Sequence, residues 1–184
     1  MRRLRAFVRE QPFWVDLIAL ALVGVHATLT ALGWLPNVWA VLEGSKRVEG
    51  AQALYLGMLG PAAIVAGFAG VVVVFGLSAG STRFSEFRAK AGQSLKRTWV
   101  ASTLAGFEAA GLCTAATVIN WIDEIQWLAP FAFELALWLL LHGSGRLVWI
   151  LSEMIGITRA DDVKATDEAK VYPVSHLPFR RNAG

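Results

Sequence analysis

The sequence predicts an all-α polytopic membrane protein, an antiparallel four-helix transmembrane bundle with its N and C termini in the cytoplasm. Three observations carry that expectation: four long apolar blocks, basic residues confined almost wholly to one side, and tryptophans gathered at the block ends. A mean hydropathy of +0.51, with 55% hydrophobic residues against 17% charged, suits a chain that meets lipid over most of its surface.

A helix rises about 1.5 Å per residue and needs about 20 residues to cross roughly 30 Å of hydrocarbon. Spans of that length are expected at about Leu17–Leu35, Leu54–Ser78, Trp99–Asn120 and Leu128–Leu151. The first is too long for a signal-peptide core and reads as an uncleaved anchor. The chain then divides into a basic interfacial segment (residues 1–12), the transmembrane domain (13–151) and a charged cytoplasmic tail (152–184).

Orientation follows Lys and Arg in the short loops. Arg2, Arg3, Arg5 and Arg9 precede the first span, and Arg83, Arg88, Lys90, Lys96 and Arg97 lie between the second and third. Arg159, Lys164, Lys170, Arg180 and Arg181 follow the fourth, whereas the opposite loops hold only Lys46 and Arg47. Fourteen cations face two, so the richer side is expected in the cytosol. The basic character thus reflects topology and calls for no nucleic-acid partner. Trp14, Trp99 and Trp149 fall at inner ends and Trp34, Trp39, Trp121 and Trp127 at outer ends, leaving Trp138 as the exception.

Between the spans, residues 38–42 (Val-Trp-Ala-Val-Leu) are expected to hug the outer interface, and the short 121–127 loop makes spans three and four a hairpin. The segment from Ala79 to Thr98 reads as a polar, basic inner loop. In the tail, Thr158 and Asp161 have the spacing of a cap for a separate short helix ending before Tyr172-Pro173. Lipid gives no hydrophobic drive between helices, so small residues mark where backbones approach. Gly60, Ala63, Gly67 and Gly70 form one such stripe in the second span, and Ser102, Ala105, Ala109, Cys113, Ala116 and Asn120 another in the third.

The candidate functional residues are the polar groups inside the spans: His26, Glu108, Glu134, Trp138, His142 and Arg146. A charge in hydrocarbon is costly and usually faces the bundle interior or a wet path. The last four recur every fourth residue, which predicts one polar stripe on the fourth helix. They fit either a path for ions or protons, or a lock in which Glu108 pairs with His26 or His142. Asp16 is left aside as a first-turn acid that suits the helix dipole.

No catalytic constellation, metal-ligand pattern or phosphate-binding loop is present, and the lone Cys113 permits no intrachain disulfide. The expectation is a non-enzymatic inner-membrane protein, a small ion- or proton-conducting pore of holin-like or membrane-depolarising type. A subunit docking on a larger membrane complex is the alternative, and either reading implies a homo-oligomer or foreign partners in the bilayer. A third possibility is a b-type haem held through His26 and His142.

Overall fold

A computed structural model describes residues 11–42, 48–78 and 82–170. The expected interfacial helix over 1–10, the turn at 43–46 and the tail beyond Lys170 lie outside the described residues. Among the described residues five α-helices form: α1 (Pro12–Ala31), α2 (Val48–Gly57), α3 (Leu59–Ser78), α4 (Thr82–Ile119) and α5 (Ala129–Lys170), with 3-10 turns at Ala40–Leu42 and Gln126–Leu128. Among the described residues, four stretches are long and apolar enough to cross a membrane: Phe13–Ala31, Glu49–Val72, Lys96–Ile119 and Gln126–Asp167. The chain is all-α, with these four helical stretches packed together.

α1 starts at Pro12, where the missing N–H would have had no intrahelical partner anyway. It ends where Gly33 adopts φ +72° and the Trp34 N–H returns to the Leu29 carbonyl at 2.9 Å. The helix therefore sits four to five residues earlier than the expected Leu17–Leu35.

The second span is one path built from two helices. Pro61 lacks the N–H that would reach Gly57, and its ring crowds that carbonyl, so the ladder breaks at Met58. Local bonds bridge the break: the Met58 N–H lies 3.3 Å from the carbonyls of Leu54 and Tyr55, and the Ala62 N–H lies 3.1 Å from that of Met58.

Two segments read as loop or separate helix are continuous helix instead. α4 begins at Thr82 and runs through the basic segment into the span. α5 continues through Thr158, whose hydroxyl donates to the Met154 carbonyl at 3.1 Å in the manner of an interior residue, not an N-cap. Gly156 is the least helix-favouring residue between Leu151 and Lys170, at about 1 kcal/mol, and no proline interrupts the run. With 38 and 42 residues, α4 and α5 are about 57 and 63 Å long, about twice the roughly 30 Å of a hydrocarbon layer, and their polar ends extend from the same end of the bundle. That end is called the tail end below, and the α4–α5 connection marks the turn end.

The core lies where small side chains on α4 receive large ones. At the turn end Ala109, Cys113 and Ala116 meet Tyr55, Phe133 and Leu140. At the tail end Trp99, Leu147, Ile150 and Met154 close with Ala69 and Val72. Ser102, Ala105 and Asn120 on the same α4 face are buried too.

Glycine permits two close crossings. A Cβ on Gly143 would lie 2.8 Å from the Ala105 Cβ, and one on Gly106 would lie 2.9 Å from the Ala62 carbonyl oxygen. The stripe of Gly60, Ala63, Gly67 and Gly70 instead faces away from the other helices, with no atom within 4 Å of the glycines' Cβ directions. Ala62, Ala66 and Ala69 supply a rival small face at the same spacing, and α3 packs through that one because Gly106 lets its backbone in.

α1 is attached differently. It lies mainly against α5, and Val23 is the only described side chain of the helix that is fully buried.

Candidate functional site

α1 and α5 run antiparallel, and each carries a carboxylate followed by a histidine. Antiparallel packing therefore sets acid against base at two levels. Toward the turn end, Nδ1 of His26 donates to Oε2 of Glu134 at 2.8 Å. Toward the tail end, Nδ1 of His142 donates to Oδ1 of Asp16, also at 2.8 Å. All four side chains are largely shielded, with exposures of 15 to 26%. Glu134 and His142 are eight residues apart, so the two pairs are separated by about 12 Å along α5. Val23 and the adjoining apolar seam lie between them.

The pair toward the turn end is covered from the connecting segment. Trp39 sends its indole Nε1–H to the same Glu134 oxygen at 3.0 Å, and its ring meets Phe133 edge-on. Phe131 closes edge-on against His26, with ring centroids 5.3 Å apart. Trp39→Phe is expected to lower stability by about 1 kcal/mol, the loss of one such hydrogen bond. Thermal unfolding in micelles, compared with the parent chain, measures it.

The pair toward the tail end opens onto a groove. Asp16, with Phe13 and Gln11 from the start of α1, faces Gln93, Lys96, Arg97, Val100, Leu104 and Glu108 of α4 across a cavity of about 700 Å³. Asp16 is close enough to both Glu108 and Arg146 to act on them electrostatically. Arg146 is buried, 7% exposed. Nε2 of His142 is buried with no hydrogen-bond partner among the described residues.

The expected candidates are thus distributed unevenly. His26, Glu134 and His142 share the α1–α5 seam. Glu108 pairs with neither histidine, since Glu134 and Asp16 hold those positions, and it faces the groove instead. Trp138 does not join the stripe: it is 53% exposed on the bundle surface.

No protein-family model matches the chain, and no curated protein or solved structure is similar to it. The site is therefore read from its own geometry. Among the described residues no group of three or more His, Cys, Asp or Glu side chains could hold a metal ion. His26 and His142 stand at separate levels, each turned to its own carboxylate, which does not suit the two axial ligands of one haem.

Asp16 and Trp39 are the residues of this candidate site that sequence reasoning passed over. The order acid-then-histidine in both the first and fourth apolar blocks was the available signal for Asp16. Nothing in the sequence points Trp39 at Glu134.

Proposed function

We propose that this is a multi-pass protein of a bacterial-type inner membrane, with both termini cytoplasmic, that passes protons along the seam between α1 and α5. The observation that carries the reading is the pair of histidine–carboxylate hydrogen bonds at two depths of one helix interface, the inner one opening on a groove. The asymmetry of fourteen cations to two supports the orientation.

In this reading Asp16 takes up a proton through the groove and exchanges it with His142, and His26 with Glu134 forms the outer station. Histidine suits such relay work because its ordinary titration falls in the physiological range. Val23 and the surrounding apolar seam separate the stations. The slight burial of α1 allows a small displacement of that helix to admit bridging water. Arg146 counts against an open cation pore here, because a buried positive charge beside the path repels a permeant cation.

The test is proton flux into vesicles containing the purified chain, driven by a potassium diffusion potential and read with an internal pH dye. The parent chain should acidify the lumen faster than empty vesicles do. Asp16→Asn and His142→Ala should each slow flux about tenfold, equivalent to about 1.4 kcal/mol, while Trp138→Phe should not. Flux no greater than in empty vesicles, or the same in all variants, would sink the reading.

A second reading is favoured by the outward-facing Gly60, Ala63, Gly67 and Gly70 and by the bare lipid-side surface of α1. The chain would then be a docking subunit of a larger membrane complex, with the two pairs acting only as locks on α1. Gentle extraction would yield it with unlike proteins in fixed ratio, where a conducting protein would isolate alone or as copies of itself.

A further inference from the structure

We propose that the groove between α1 and α4 holds one anionic phospholipid of the inner leaflet, with its phosphate on Lys96 and Arg97. The proposal rests on the membrane orientation given above, and it is independent of proton transfer.

The mouth of the groove has the chemistry of a phosphate seat. Lys96 and Arg97 are adjacent and exposed there, with the amide side chains of Gln11 and Gln93 beside them. α1 starts at the same place, and its first turn carries no side-chain cap, so backbone N–H groups and the positive end of the helix dipole add to the site. Basic pockets between transmembrane helices on the cytoplasmic side bind anionic headgroups in this way.

Below the mouth the lining turns apolar through Val100, Leu104 and Phe13, a wall suited to an acyl chain. The carboxylates do not oppose the phosphate at its seat. Asp16 is turned to His142 on α5, and Glu108 lies twelve residues beyond Lys96, about 18 Å along α4. A lipid seated here lies across the approach to Asp16 and governs access to the inner pair.

Native mass spectrometry of the full chain in detergent, titrated with phosphatidylglycerol or phosphatidylcholine, tests the assignment. One phosphatidylglycerol should be retained in preference to phosphatidylcholine. Lys96→Gln and Arg97→Gln should each weaken it about fivefold, since a cation near an anionic surface contributes about 1 kcal/mol. Both side chains are exposed, so folding is not at stake. Arg159→Gln, an exposed cation on α5 outside the groove, should leave binding unchanged. Equal retention of the two lipids, or undiminished phosphatidylglycerol in the double variant, overturns the proposal. Selective binding by a chain that conducts no protons supports the lipid site while removing the proton reading.

Discussion

Gly143→Leu is expected to destabilise the bundle by about 3 kcal/mol, the upper part of the usual range for overpacking a tight contact. At this crossing even a methyl group would stand 2.8 Å from the Ala105 Cβ and 3.5 Å from the Ser102 carbonyl oxygen, so α4 and α5 must separate to admit a side chain. In lipid that separation forfeits packing which no hydrophobic drive restores. Gly67→Leu is the matched control, because its Cβ direction is open and α3 faces outward there; its effect should stay within about 0.5 kcal/mol. Unfolding by sodium dodecyl sulfate titration in mixed micelles compares the two. Coincident midpoints would mean that the crossing is not closed by glycine.

Removing both polar bonds from α5, as Glu134→Ala with His142→Ala, is expected to release α1 while leaving α3, α4 and α5 packed. Hydrogen bonds to charged groups contribute about 1.5–3 kcal/mol in water-soluble proteins, and cycles within membranes give about 0.6 on average. Two such bonds are a large share of the attachment of a helix that fully buries only Val23 among its described side chains. Spin labels at Val25→Cys and Leu141→Cys, both exposed positions, in a Cys113→Ala background report the α1–α5 distance. The parent should give one narrow distribution and the double variant a broad one. A narrow distribution in both would show that apolar contact alone seats α1.

Much of the architecture could be read from composition and periodicity because lipid imposes a simple rule on backbone. Every span must bond its own N–H and C=O groups, so long apolar blocks become helices. The small face from Ser102 to Asn120 was legible for the same reason that it packs: Ala and Cys at helical spacing leave room for Phe133 and Leu140. The choice between two small stripes on α3 was not legible. Gly60, Gly67 and Gly70 offer the same backbone access as Ala62 and Ala69, and only the position of Gly106 on the partner decides between them.

Asp16 was passed over because an acid in the first turn of a helix is already accounted for by the helix dipole; its pairing with His142 emerges only when α1 lies against α5. The inner loop and the tail were misread because charge marks contact with water, not the loss of helix; the segments from Thr82 and up to Lys170 are polar and helical at once.

The unbroken course of α5 makes the neighbourhood of His142 and that of Asp162 parts of one rod, about 30 Å apart. A rotation at the level of the inner pair must turn the charged surface at Asp162 through a similar angle, without any joint to absorb it. A load applied to that surface is likewise delivered to His142 as torque.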